Sequence, residues 1–124
     1  MLLCRDFTFD AAHNLVHYHG KCERLHGHTY RLRVVVEGTP DDEGMIIDFT
    51  ELKAIVKERI LSRLDHAYLN DIIPQPSAEN IALWIWGELE GHVRRENCGL
   101  HEIHVWETED SRVILRREDM TCRK

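Results

Sequence analysis

The chain has no apolar run approaching the 20 or so residues that a helix needs to cross a bilayer. Its first ten residues, MLLCRDFTFD, meet Asp6 and Asp10 too early for a secretory apolar segment, so a cytoplasmic protein is expected. Cysteine is sparse. Cys4, Cys22, Cys98 and Cys122 are too few and too scattered for a disulfide scaffold, so free thiols are expected, and a special one would be catalytic or metal-binding. Excess positive charge is missing too. The formal net charge is −6, which argues against non-specific binding of nucleic acid or an anionic membrane. There is no dinucleotide fingerprint and no phosphate-binding P-loop, hence no sign of a nicotinamide or flavin. Low-complexity linkers, repeats and shifts in composition are also absent.

What is present suits one soluble domain over residues 1–124: 43% apolar and 31% charged residues. Residues 2–13 alternate, with Leu3, Phe7, Phe9, Ala11 and His13 on one parity, and read as a first strand. Residues 25–38 read as a second, with Leu32, Val34 and Val36 opposed to Arg31, Arg33 and Glu37. DFTELKAIVKERILSRL reads as a helix capped by Asp48 with Glu51 three residues on, carrying an apolar stripe of Leu52, Ile55, Val56, Ile60 and Leu64. DHAYLNDIIPQP is a proline-bearing loop. Ser77 caps a second helix that Gly91 should end. LHEIHVWETE and RVILRRE close as a hairpin around Asp110-Ser111. The order predicts an α+β domain: a four-stranded antiparallel sheet with two helices on one face, ββααββ.

The chemistry gathers at KCERLHGHTY, residues 21–30, where a strand opens with a thiol and two imidazoles. His26 and His28 are two apart, so an extended backbone points both to the side of Leu32 and Val34. His13 shares parity with Phe9, and Glu107 with Ile103 and Val105. Without a bulge, three imidazoles and a carboxylate would meet at strand ends on the buried face, where unpaired polar groups are costly. Catalytic zinc commonly takes three protein ligands and keeps a fourth position open, a count that His13, His26 and His28 fit. Gly27 would let the backbone bend between two ligands. The plainer reading is histidines capped by water or backbone. Cys22 as a fourth ligand would instead make a closed structural site. His17 and His19 repeat the spacing in a loop and read as exposed.

Cys22 is flanked by Lys21 and Arg24, and cations and nearby imidazoles favour thiolate, which serves as base or nucleophile. Asp65-His66 pairs a carboxylate with an imidazole that could deprotonate Cys22, although Asp65 reads equally as a turn residue. Glu107, among apolar neighbours, reads as an acceptor for an amidine-like N–H pair, or else as an arginine's partner. Cys4, Cys98 and Cys122 read as inert, and Trp84, Trp86 and Trp106 as core.

Taken together, CERLHGH, DAAHNL, LDHAYLN, PSAENIALWIW and VWETE resemble the 6-pyruvoyl-tetrahydropterin synthase family over Phe7 to about Thr108. The C-x-x-x-H-G-H spacing is similar to the family's bacterial branch, the 6-carboxy-tetrahydropterin synthases of queuosine biosynthesis. The resemblance implies the tunnelling fold, in which subunits join sheets into a barrel and two trimers stack as a hexamer, with active sites between subunits. It implies zinc on His13, His26 and His28, Cys22 as catalytic base or acid, and His66 with Asp65 as its relay. It makes Glu107 the pterin anchor, sometimes part of the relay, and Ser77 stands where the family often has a pterin-contacting Thr. The implied substrate is 7,8-dihydroneopterin triphosphate, with Lys21, Arg24 and His17 or His19 as candidates for its phosphates. Three rivals remain. One is the pyruvoyl-forming activity, which stops before carbon–carbon cleavage. Another is a pterin aldolase, against which the three-His set speaks. The last is a zinc-stabilised binding module without catalysis.

Overall fold

The computed structural model describes residues 1–16, 18–20 and 23–121. Strands β1 (Leu2–His13) and β2 (His26–Gly38) pair antiparallel along their whole length, from Leu2 opposite Glu37 to His13 opposite His26. Helix α1 starts as Phe49–Val56 and continues through a π turn, Lys57–Leu61, into Ser62–Leu64. Strand β3 (Ala67–Tyr68) and helix α2 (Ala78–Val93) follow. Strands β4 (Cys98–Thr108) and β5 (Ser111–Arg116) form the hairpin, and a short helix α3 (Arg117–Thr121) comes last.

The sheet order is β3-β1-β2-β4-β5. The four long strands are antiparallel neighbours, but the expected four-stranded sheet gains a fifth strand and becomes mixed. Ala67 and Tyr68 run parallel to Ala11 and Ala12. Two residues carry no readable alternation, and the prolines beyond them mark the whole stretch as loop. Two further boundaries move. Gly91 does not end α2, which runs to Val93 before Arg94 turns extended. The hairpin turn falls on Glu109-Asp110, since Thr108 already pairs with Ser111.

Both predicted caps form. The Asp48 carboxylate accepts from Thr50 N–H at 2.7 Å, and Ser77 Oγ from Asn80 N–H at 3.2 Å. Glu51 does not complete a capping box; it pairs with Arg95. One core joins Leu32, Val34, Ile103 and Val105 of the sheet to Leu52 and Val56 of α1 and Ile81 and Ile85 of α2. Both long helices therefore cover the same face. The stripe Leu52, Val56, Ile60, Leu64 explains the π turn. Residues four apart on an α-helix drift by about 40° per step, so Leu64 would swing far from Leu52. The π turn absorbs one extra residue, and all four side chains are fully buried.

Candidate metal centre

The β1–β2 register delivers three histidines to one end of the sheet, His13 opposite His26 and His28 opposite Ala11. Their ligating nitrogens lie within 4.8 Å of one another. His13 is 1% exposed, at the floor of the group. Its Nδ1 is 2.7 Å from the Pro76 carbonyl, and His26 Nδ1 is 2.8 Å from the Arg24 carbonyl. A carbonyl only accepts, so each Nδ1 carries the ring proton and donates. In a neutral ring so oriented Nε2 presents a lone pair, and the two Nε2 atoms face each other at 3.1 Å. His28 Nε2 is buried with no hydrogen-bond partner among the described residues. Burial, ahead of its charged neighbours, pushes the His28 pKa below the usual histidine value, which favours the neutral, ligating ring.

Glu107 completes the group. Its Oε1 lies 3.4 Å from His13 Nε2 and 3.9 Å from His28 Nε2. The pairing of β4 with β5 shifts register between Trp106 and Thr108, so Glu107 sits at a bulge. The bulge does not turn it off the histidine face. Among the described residues its ion-pair partners are imidazoles, not an arginine. Bare lone pairs and a carboxylate oxygen converging this closely repel unless a cation lies among them, and backbone carbonyls orienting the far nitrogens are the usual support of metal-bound histidine. The donor set fits a divalent ion. Gly27 has a different role from the expected bend: it is ordinary strand opposite Ala12, and an added Cβ would meet only Ala11 O, at 3.5 Å.

A second group forms around His66. Asp65 Oδ1 is 3.2 Å from His66 Nδ1 and also accepts from Asp10 N–H at 3.0 Å. His66 N–H donates to Asp10 O at 2.6 Å, which holds His66 in the left-handed backbone region, φ 61°. Thr29 Oγ1 donates to the Asp10 carboxylate at 2.5 Å. Asp10 and Thr29 have the strand parity opposite to the three histidines, so this group stands on the other face of the sheet edge. A cavity of about 490 Å³ beside it is lined by Asp10, Gly27, His28, Thr29 and His66. His66 is 80% exposed, open to a partner.

Cys22, Lys21 and His17 lie outside the described residues, as does Cys122. Ser77 spends its hydroxyl oxygen as the α2 cap and directly follows Pro76, whose carbonyl orients His13. Cys4 is exposed. Cys98 is buried, which pushes its thiol pKa up, and its Sγ is 3.5 Å from Val93 O. Trp86 belongs to the core and Trp84 packs against it. Trp106 is buried as well, but apart from that cluster, on the opposite face under the guanidinium groups of Arg31 at 4.3 Å and Arg112 at 4.8 Å. Sequence reading missed the carbonyls of Pro76 and Arg24, which no side-chain motif announces. It also missed Asp10, although this first residue of DAAH, polar and on the outward parity, was a usable signal.

A family model described as 6-pyruvoyl tetrahydropterin synthase matches residues 2–118. A Synechocystis protein named 6-carboxy-5,6,7,8-tetrahydropterin synthase is 42% identical over 114 residues, 86% of each chain. A Pyrococcus furiosus protein named dihydroneopterin monophosphate aldolase is 39% identical over 108 residues, 87% of this chain and 90% of that one. The structure of Caenorhabditis elegans 6-pyruvoyl tetrahydropterin synthase superposes with a TM-score of 0.77, covering 94% of both chains at 23% identity, a likeness of fold.

Proposed function

The chain belongs to the 6-pyruvoyl tetrahydropterin synthase family, and on that premise we propose that it is a zinc-dependent carbon–carbon lyase. The reaction would convert 7,8-dihydroneopterin triphosphate and water to 6-carboxy-5,6,7,8-tetrahydropterin, acetaldehyde and triphosphate, as a step towards queuosine. The observation that carries this reading is the facing pair of Nε2 atoms on His13 and His26, 3.1 Å apart, with the Nε2 of His28, unpartnered among the described residues, beside them. The similarity to the Synechocystis relative and the C-x-x-x-H-G-H spacing favour the carboxy-forming branch.

His13, His26 and His28 would hold the ion. Bound zinc supplies Lewis acidity, polarising the side-chain hydroxyls and acidifying the adjacent C–H bonds. Cys22 as thiolate would take or return a proton at carbon. Glu107 would accept from the amidine-like N–H pair of the pterin ring, with Ser77 near the same edge. Asp65 orients the His66 ring, which would reset the charge on a thiol. Within one chain Asp65 and His66 face away from the three histidines, so we place that relay at the site of a neighbouring copy. The outer edge of β1 over residues 2–10 and the free edge of β5 could join copies into rings, two trimers stacking as a hexamer. Arg24 and His19, both exposed, and Lys21 would meet the triphosphate. Among the described residues no helix is long and apolar enough to cross a membrane. The proposed enzyme is one domain over residues 1–124, with a cytoplasmic location.

One incubation separates the readings. Carboxylated tetrahydropterin with stoichiometric acetaldehyde supports the proposal. A product that keeps all three side-chain carbons without phosphate identifies the pyruvoyl-forming activity. The Pyrococcus relative gives the aldolase reading an observation of its own; retro-aldol cleavage would leave a hydroxymethyl group on the ring and release no acetaldehyde. A non-catalytic zinc module would need Cys22 as fourth ligand, and its thiol would then resist a thiol reagent while zinc is bound.

A further inference from the structure

Two buried side-chain polar atoms lack a hydrogen-bond partner among the described residues, His28 Nε2 and Tyr30 Oη. They are neighbours. Residues 28 and 30 share one face of β2, and the Tyr30 ring meets His28 edge-on at 5.5 Å and His13 at 6.0 Å between centroids. Its face stacks on Phe9 at 5.0 Å, and the residue is 0% exposed. With Arg31 opposite Trp106, the β2–β4 register carries Glu107 alongside Tyr30.

Phenylalanine would fill the same space and stack on Phe9 equally well. An unpartnered buried hydroxyl is destabilising, so its presence calls for an acceptor that arrives from outside the fold. A phenol O–H donates as well as accepts. His28 Nε2 offers a lone pair and Tyr30 Oη a proton. A cation on the first and an oxygen on the second would satisfy both.

We propose that the Tyr30 hydroxyl donates a hydrogen bond to an oxygen held at the His13–His26–His28 cluster, a hydroxyl of the pterin side chain or a water standing in its place. This inference rests on the reading of those histidines as a zinc site. Tyr30 is then a positioning residue that fixes the oxygen the ion polarises.

The test is Tyr30→Phe. Metal-free protein is melted, zinc affinity is measured by competition with a chromophoric chelator, and zinc-loaded protein is titrated with neopterin and with 6-methylpterin, which has no chain hydroxyl. The metal-free variant should melt no lower than wild type, because the change removes an orphaned group. Zinc affinity should fall about tenfold if the acceptor is water. If it is a ligand hydroxyl, neopterin affinity should fall by a similar factor while 6-methylpterin binding holds. A variant that melts lower metal-free, or one that keeps its zinc and neopterin affinities, overturns the assignment. Equal losses on both pterins overturn it too. Wild-type protein that takes up no zinc removes the metal-site reading and this role with it, whereas zinc uptake with an unaffected variant removes only the role of Tyr30.

Discussion

His13 Nε2 and His26 Nε2 face each other at 3.1 Å while each ring gives its proton to a backbone carbonyl on the far side, Pro76 O for one and Arg24 O for the other. Two neutral imidazoles so oriented gain nothing from each other. They share a cation well, and the third nitrogen, on His28, is already desolvated and proton-poor.

The first prediction follows from that geometry. The purified protein should carry close to one zinc per chain by elemental analysis. His28→Ala should weaken zinc binding by at least about tenfold without unfolding the chain, because residue 28 lies at the open edge of the group and not in the core. Unchanged zinc content in the variant would remove His28 from the ligand set.

Thiol and relay should separate from metal. Cys22→Ala should keep zinc and thermal stability and lose most turnover. Asp65→Asn should also keep zinc, since Asp65 stands on the other face of the sheet edge, and reduce kcat by about 10²-fold or more through a misoriented His66. In mixtures of the two inactive variants, subunit exchange should restore part of the activity if the relay of one copy serves the thiol of another. No recovery in assembled, exchanging protein would place both functions within one chain.

Acid stability offers an independent check on the other sheet face. Asp6 accepts from Arg33 Nε at 2.7 Å and from Arg31 Nη2 at 2.5 Å. These bonds, the Arg33 one foremost, hold its pKa at about 2, against an ordinary 3.8. A carboxyl lowered in the folded state stabilises fully above its unfolded value and loses that contribution as pH falls towards the folded one. Metal-free wild type should therefore exceed Asp6→Asn in urea stability by a constant margin above pH 4. The margin, about 1 kcal/mol for so solvent-screened a network, should shrink between pH 3.8 and 2. A margin independent of pH in that window would assign it to packing.

Much of this architecture is written in residue periodicity, and the exceptions share a cause. Alternation marks β1 and β2 and puts His13, His26 and His28 on one face, and parity on the next strand, β4, puts Glu107 there too. Asp48 and Ser77 mark both long helices because an N-cap needs one side-chain oxygen at one position. Periodicity fails where a feature is shorter than its period, as in the two residues of β3. It fails again where backbone atoms act, as at Pro76 and Arg24. Trp106 is buried, as a core reading expects, but on the outward face, where arginine side chains from β2 and β5 cover it.

The π turn in α1 gives the last prediction. Leu52, Val56, Ile60 and Leu64 are spaced by four throughout, a pattern that a regular α-helix would splay. Deleting the exposed Glu58 changes the spacing to four, three, four, the pattern of a straight amphipathic helix. The deletion should therefore convert the π turn to α-helix while all four side chains stay on the core. It should cost no more than about 1 kcal/mol, whereas Leu52→Ala, which empties a fully buried site, should cost about 2–5 kcal/mol. Deleting half-buried Glu88 from α2, which has no π turn to absorb the change, should rotate the last turn off the core and destabilise far more. Urea denaturation of the three variants ranks them, and equal losses from the two deletions would mean that the extra residue in α1 does not set the stripe's alignment.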